Sequence, residues 1–321
     1  MALIELDGIE KTFTLRVKRG FLRRERRVVR AVDGVSFEIE AGSLVGYVGP
    51  NGAGKSTTVK MLTGILVPSA GHISVVGLNP SRQRIQLARR IGVVFGQRVQ
   101  LWWDLPLRDS FELLRHIYRV PFERWRANLD TFTELLELAP FLETPVRQLS
   151  LGQRMRGELT ASMLHDPEIL FLDEPTIGLD IVAKARVREF LASVNRERGV
   201  TVLLTTHDLS DIERLCRRLL IIDHGRVIYD GGLDSLIERY GEERTLIVDL
   251  EEPADPLEVA GARVVRVEGP RQWLRFRRDS VSAAQLTAAV AAQARLVDLA
   301  IDEPDIEDVV RRIYRDRSVS R

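Results

Sequence analysis

The chain has 321 residues, and its 47 Lys plus Arg nearly balance 46 Asp plus Glu, so the formal net charge is +1. This balance argues against a histone-like or tail-type nucleic-acid binder, because such proteins carry a large charge of one sign. A hydrophobic content of 45% excludes global disorder. The one cysteine, Cys216, excludes an internal disulfide and a zinc cage built from cysteines.

The length suggests about two domains. The N-terminus lacks the basic and apolar regions of a secretory signal. No run of apolar residues approaches the 18 or so that a membrane-spanning helix requires. We therefore expect a cytoplasmic protein, and if its function involves a membrane, another chain must supply the spanning part.

Short strands are predicted first in the chain, over 3–6, 35–39 and 44–48. Between the first two lies a basic insert, residues 16–30, with eight Arg or Lys and one Glu. Its apolar residues alternate with arginines, so it could form a hairpin that docks on a partner. It could instead lie against anionic lipid headgroups, or be a solvated charged loop.

From about 82 to 165 the apolar residues follow a helical period. Two apolar strands follow, over 169–172 and 200–204, with a helix between them. This alternation predicts a parallel α/β sheet covered on both faces. The pattern changes near 240, so we predict one domain over 1–240 and a small α+β domain over 241–321.

A glycine-rich segment fits the phosphate-loop pattern G-x-x-x-x-G-K-[ST] between a predicted strand and a predicted helix. Its glycines let successive N–H groups point at phosphate oxygens, and the helix N-terminus adds a positive dipole end. Lys55 supplies a cation for the β and γ phosphates, and Ser56 a hydroxyl for Mg²⁺. The predicted phosphate-binding residues are Gly49, Pro50, Asn51, Gly52, Ala53, Gly54, Lys55, Ser56 and Thr57.

Two carboxylates, Asp173 and Glu174, end the apolar strand at 169–172. At the carboxyl end of a parallel strand, Asp173 is placed to hold Mg²⁺ and Glu174 to orient or deprotonate an attacking water. His207 follows the strand at 200–204, within reach of a γ-phosphate. Gln97 directly follows the apolar stretch 93–96 and could contact Mg²⁺ or the attacking water.

The segment Leu149–Arg154 resembles the signature sequence of ABC ATPases, with Leu151 where glycine is commonest. The order of the phosphate loop, Gln97, signature, Asp173–Glu174, Gly178–Asp180 and His207 is similar to that family over about residues 1–240. The resemblance implies a P-loop NTPase fold of ABC type. It has a mixed sheet and a helical subdomain at about 98–165, followed here by the small C-terminal domain.

The resemblance also implies ATP hydrolysis with Mg²⁺ by a head-to-tail dimer, formed with a second copy of the chain or with a paralogous ATPase. The signature of one copy, here Ser150, Gly152 and Gln153, would close on the γ-phosphate held by the other copy. Asp180 resembles the aspartate that communicates across the dimer. Phe13 is the best match for the aromatic residue that stacks on adenine, and Phe21 is a weaker candidate.

The stretch Gln97–Pro106 includes two adjacent tryptophans and occupies the region that meets the membrane permease in this family. The C-terminal pattern is similar to ATPase subunits of bacterial drug and antibiotic exporters. Its combination with the basic insert and the two tryptophans is similar to subunits of viologen-type exporters. We therefore expect an exporter ATPase at the cytoplasmic face of the inner membrane, attached through a separate permease, with no nucleic-acid partner. The alternative is a soluble ABC-type ATPase acting on the ribosome or nucleic acid through the basic insert.

Overall fold

The computed structural model describes residues 2–19, 23–96, 98–241, 243–277, 279–303 and 306–319. Of 16–19, 23–25, 240 and 315–319 it describes the backbone alone. The chain divides into two compact units, Met1–Gly231 and Gly232–Arg321. This division precedes the predicted boundary at 240/241, because the helix after Gly232 packs with the last helix of the chain.

The first unit contains nine strands and seven α-helices in its described part. The strands are β1 (Ala2–Arg19), β2 (Arg23–Glu40), β3 (Leu44–Val48), β4 (Ala70–Val75), β5 (Ile91–Phe95), β6 (Ile169–Asp173), β7 (Thr201–Thr205), β8 (Arg218–Asp223) and β9 (Arg226–Gly232). The helices are α1 (Lys55–Leu62), α2 (Arg84–Ala88), α3 (Leu107–Tyr118), α4 (Phe122–Leu135), α5 (Leu151–Met163), α6 (Ile181–Arg198) and α7 (Leu209–Leu215).

A six-stranded sheet in the order β5-β6-β7-β3-β8-β9 forms the centre of this unit. Strands β5, β6, β7, β3 and β8 pair in parallel. The residues of β7 are all buried, as are the first four of β6, which explains their continuous apolar sequences. Because the strands are parallel, the loops after β3, β5, β6 and β7 leave the same edge of the sheet.

A second sheet has the order β2-β1-β4 and is antiparallel. Strands β1 and β2 remain paired as far as Arg19 and Arg23, so the basic insert continues the hairpin between them. The described residues of the insert therefore form part of a hairpin, and what this hairpin contacts stays a prediction. Phe21 lies outside the described residues.

Helices α3, α4 and α5 and two short 3₁₀ turns form the helical segment between β5 and β6. Helix α5 begins after Ser150, whose hydroxyl accepts from the Gln153 N–H while the Gln153 side chain accepts from the Ser150 N–H. This capping box satisfies two donors at the helix start. Helix α6 begins after Asp180, which caps the Ala183 N–H, and ends at Gly199 in a left-handed conformation.

The second unit begins with α8 (Leu233–Tyr240) and continues with β10 (Glu243–Leu250), β11 (Ala262–Glu268), β12 (Arg271–Arg277), α9 (Ala283–Ala291), β13 (Leu296–Asp302) and α10 (Ile306–Val319). Its antiparallel sheet has the order β11-β12-β10-β13. Leu246, Val248 and Leu274 of this sheet pack with Leu286 and Val290 of α9 in a core of its own. The predicted α+β class is confirmed. None of the helices in the described part of the chain combines the length and apolar composition needed to cross a bilayer.

Candidate nucleotide site

A cavity opens at the sheet edge where β3, β6 and β7 end. Every residue of the predicted phosphate loop lines it, together with Asp173, Glu174 and His207. The lining residues are Ala31, Gly49, Pro50, Asn51, Gly52, Ala53, Gly54, Lys55, Ser56, Thr57, Lys60, Phe95, Gly96, Arg98, Asp173, Glu174, Ile177 and His207. The structure thus brings together three separate sequence motifs at one place.

The phosphate loop wraps closely because side chains are excluded from two of its positions. A Cβ on Gly49 would lie 2.3 Å from the Ile222 carbonyl oxygen, and one on Gly54 would lie 2.5 Å from that of Ala31. Gly54 also has a φ of 111°, which disfavours any other residue. Helix α1 begins directly after it, so the N–H groups of its first turn face the cavity end of the loop.

Lys55 is folded back over the loop that would hold the phosphates. Its Nζ donates to the carbonyl oxygens of Gly49 at 2.6 Å and Pro50 at 3.3 Å. Burial lowers the pKa of the Lys55 ammonium, while the charges of Glu174 and Asp173 raise it. The ammonium is therefore held by weak acceptors that an anionic phosphate would replace.

Oxygen atoms suited to a hard cation meet beside the loop. Ser56 Oγ donates to Asp173 Oδ1 at 3.0 Å, and Thr205 Oγ1 donates to the same oxygen at 2.6 Å. A serine hydroxyl and a carboxylate are the donor types that Mg²⁺ takes at phosphate sites. The residues present therefore fit this ion, and Gln97, the third predicted ligand, lies outside the described residues.

Glu174 and His207 contact each other directly. His207 Nδ1 donates to Glu174 Oε2, with the glutamate mostly buried and the histidine more than half exposed. The Glu174 backbone has a φ of 59°, rare for a residue with a side chain. Its N–H donates to the Thr205 carbonyl at 3.0 Å, and a Cβ on Gly96 would lie 2.1 Å from its carbonyl oxygen. The backbone is thus clamped between the ends of β5 and β7.

The predicted signature residues do not line this cavity within the part of the chain that the structure describes. Ser150 and Gln153 form the cap of α5, and each keeps a side-chain donor after the cap is made, the hydroxyl hydrogen and the amide Nε2. Gly152 lies against α6, since a Cβ there would be 3.1 Å from Ala183 Cβ. An N-terminal helix end with spare donors suits an anion supplied by another molecule.

Phe13, the predicted adenine-stacking residue, is not among the described residues that line the cavity. Its strand partner is Val29, two residues before Ala31, which does line it. The ring is therefore on the neighbouring part of the hairpin, with Lys11 Nζ 5.3 Å from its centroid. Sequence reasoning missed Lys60 and Arg98 at the cavity. Two positions in the sequence could have indicated them: Lys60 lies in the helix that begins at Lys55, and Arg98 directly follows Gln97.

Comparisons with known proteins agree with this geometry. A family model described as ABC transporter matches residues 32–177. The ABC transporter ATP-binding protein NatA of Bacillus subtilis is 34% identical over 214 residues, which are 67% of this chain and 87% of that protein. The chain belongs to the ABC transporter family. The daunorubicin resistance ATP-binding protein DrrA3 of Streptomyces coeruleorubidus is 39% identical over 219 residues, 68% of this chain and 69% of that protein.

Among solved structures, a dimeric post-hydrolysis state of the ATP-binding cassette MJ0796 bound to ADP and Pi has a TM-score of 0.61 and 26% identity. The match covers 72% of this chain and 98% of that one. The chain is accordingly an ATP-binding and ATP-hydrolysing subunit of an ABC transporter. These findings confirm the predicted family, fold class and ATPase activity, and they do not favour the ribosomal or nucleic-acid alternative.

Proposed function

We propose that this ABC subunit powers export of a drug-like cargo, with Glu174 and His207 as the hydrolytic pair. The direct contact of His207 Nδ1 with Glu174 Oε2 beside the phosphate loop carries the assignment of roles. Glu174 Oε1 remains to accept a proton from the attacking water, and His207 holds the carboxylate in place. The resemblance to a daunorubicin resistance protein supports drug export.

Substrate binding rests on the loop and the dimer partner. Lys55 and the α1 N–H groups would hold the β and γ phosphates, and Ser150, Gly152 and Gln153 of a second copy would complete the site. Ser56 and Asp173 would hold Mg²⁺, with Gln97 as a further ligand, and the ion supplies neutralising charge to the phosphates. Asp180 would lie at the same dimer contact, and Phe13 would stack on adenine.

We expect Glu174→Gln to bind ATP, to form the ATP dimer and to hydrolyse at least about a hundredfold more slowly, because the amide cannot accept the water proton. Phosphate release and size-exclusion chromatography would measure both properties. Glu168→Gln is the matched control, since Glu168 precedes the same strand and forms an exposed pair with Arg90. Equal turnover in the wild type and Glu174→Gln would refute the role of Glu174.

Two surfaces are candidates for attachment to the permease at the cytoplasmic face of the inner membrane. Trp102 and Trp103 follow shortly after Gln97 and are 38% and 50% exposed. Exposing two neighbouring tryptophans to water is unfavourable unless a partner covers them, and tryptophan is enriched in binding interfaces. The hairpin carries exposed Leu15 directly before the insert and exposed Val28 among the arginines within it. Apolar and cationic groups together suit a permease surface or the anionic headgroups beside it.

Replacing both tryptophans with alanine should reduce co-purification of the permease, with ATPase activity of the isolated subunit unchanged. Deleting residues 17–28 should make the remaining attachment less sensitive to salt, because the lost contacts are charged. Exposed Leu113→Ala, on α3, is a control for loss of a single apolar group. Wild-type co-purification of the permease with the double alanine variant, and unchanged salt sensitivity in the deletion variant, would contradict these surfaces.

A further inference from the structure

A buried carboxylate links the helical segment to the central sheet. Glu158 of α5 is only 3% exposed, and its Oε1 accepts from the backbone N–H of Gln100 at 2.8 Å and of Leu101 at 3.4 Å. The Gln100 side chain in turn donates from Nε2 to the carbonyl of Val93 in β5 at 2.6 Å. Gln100 is thus tied to α5 through its backbone and to β5 through its side chain.

The residue before Glu158 brings the same segment close to the helix. A Cβ on Gly157 would lie 2.7 Å from Leu107 Cδ1 and 3.2 Å from Leu101 Cδ1. Leu101 and Leu107 are both buried. The connection from β5 to α3 therefore lies directly on α5, and any larger residue at 157 would push the two apart.

The Glu158 contact does not serve the stability of the fold. Glu158 Oε2 has no hydrogen-bond partner among the described residues, and burial raises the pKa of the Glu158 carboxyl to about 7. A half-satisfied buried carboxylate costs free energy that an apolar side chain of similar volume would not. The Glu158 carboxylate instead provides a hydrogen-bonded connection between α5 and the segment that follows β5.

The two elements carry different halves of the proposed ATP site. Helix α5 begins at Ser150, about two turns before Glu158. Strand β5 leads to the Gln97 position and, through Gln100 and Leu101, to the exposed tryptophans. The Glu158–Gln100 contact therefore fixes the signature helix relative to β5, whose end, Phe95 and Gly96, lines the nucleotide cavity.

We propose that Glu158 is a positioning residue that, through Gln100, holds the signature helix where it can engage ATP bound to a second copy of the chain. This inference rests on the proposed function, because the signature has work to do only in the ATP dimer. Loss of the link leaves each monomer able to bind ATP and loosens the dimer.

The test uses the full chain in a Glu174→Gln background, where ATP is not consumed. Glu158→Ala should weaken ATP-driven dimerisation about tenfold or more by analytical ultracentrifugation. Its affinity for a fluorescent ATP analogue, measured at concentrations where the protein is monomeric, should be unchanged. Glu158→Gln should restore dimerisation, because its amide oxygen accepts the same two N–H groups. Exposed Glu143→Ala, in the same helical segment, is the control.

Gln100→Ala provides a second variant that removes an exposed side chain and keeps the Glu158 contacts. It should weaken dimerisation in the same direction, and it decides the question if Glu158→Ala does not fold. Parental dimerisation by a folded Gln100→Ala and a folded Glu158→Ala would overturn the inference. Failure of the Glu174→Gln parent to dimerise with ATP would overturn the proposed function, and this inference with it.

Discussion

At the level of single residues, Glu174 is placed by its backbone as well as by its side chain. Its positive φ is stabilised by the hydrogen bond to Thr205 and by the absence of a side chain at Gly96. Such conformations cost about 1 to 3 kcal/mol and persist only where the surroundings enforce them. The carboxylate therefore points toward His207 before any ligand binds.

Glu158 gives a prediction about pH. Because burial raises its pKa from 4.5 to about 7, the folded protein binds a proton that the unfolded chain has already lost between these values. The carboxyl therefore costs the folded state progressively more as pH rises from about 4.5 to about 7. We expect the unfolding free energy of the wild type to fall relative to that of Glu158→Gln across this window.

Urea denaturation at a series of pH values would measure this difference, with exposed Glu143→Gln as the control. A constant difference between the wild type and Glu158→Gln from pH 4.5 to 7 would contradict the predicted ionisation.

The sequence predicted the residues whose chemistry belongs to a local motif. The phosphate loop, Asp173, Glu174 and His207 are recognisable because strand, turn and residue type coincide within a few positions. The Glu158–Gln100 contact joins positions 58 residues apart, and no local pattern marks it. The roles of all the predicted site residues stay predictions. Phe13 is not among the described residues that line the cavity, and Gln97 lies outside the described residues.

At the level of elements, helix α6 connects the loops that follow β6 and β7. Lys184 donates to Asp208, next to His207, at 2.5 Å. Partial burial raises the pKa of Asp208, but hydrogen bonds from Lys184 and Ser210 outweigh it and lower the value to about 2. Four residues further along α6, Arg188 donates to the fully buried Asp211 at 2.6 Å. These contacts hold α7 against α6.

Arg188→Met should destabilise the first unit by about 3 kcal/mol, because the buried Asp211 carboxylate loses the Arg188 charge and keeps the hydrogen bond from the neutral Thr176 hydroxyl. Urea unfolding followed by tryptophan fluorescence would measure the loss. Arg196→Met on the exposed face of the same helix removes a surface pair with Glu197 and should cost less than about 0.5 kcal/mol. Similar losses in the two variants would contradict the buried network.

Leu151 shows why an element can depart from the family pattern. Ser150 and Gly152 remain on either side of Leu151, and the structure gives a steric reason why the larger residue fits. A Cβ on Gly178 would lie 3.0 Å from Leu151 Cδ2, and Gly178 has a φ of 71°. The Leu151 side chain therefore lies in space that Gly178, in the loop after β6, leaves free. Neither residue by itself indicates this contact in the sequence.

At the level of the whole molecule, the two compact units have separate apolar cores. The elements of the second unit follow the sequence pattern closely, because its strands alternate and its helices carry capping signals such as Ser282 with Gln285. The start of the second unit was harder to predict, because α8 follows the first domain directly in the sequence. Its contact with α10, far along the chain, is seen only in the structure.

Separate cores predict two thermal transitions. We expect ADP, added with Mg²⁺ at a hundred times its dissociation constant, to stabilise the first unit by about 2.7 kcal/mol and so to raise the temperature of one transition. The other transition should not move. Differential scanning calorimetry of the full chain would measure both, and one cooperative transition, or equal shifts of both, would contradict the independence of the units.

The buried thiol has a practical consequence for following the dimer. Cys216 is the only cysteine in the chain and is 4% exposed, and burial raises its pKa far above neutrality. It is therefore nearly unreactive toward maleimides in the folded protein. A cysteine introduced at exposed Val182, near the start of α6, would be the one fast-reacting site. A spin label there would report the distance between two copies without removal of the native residue.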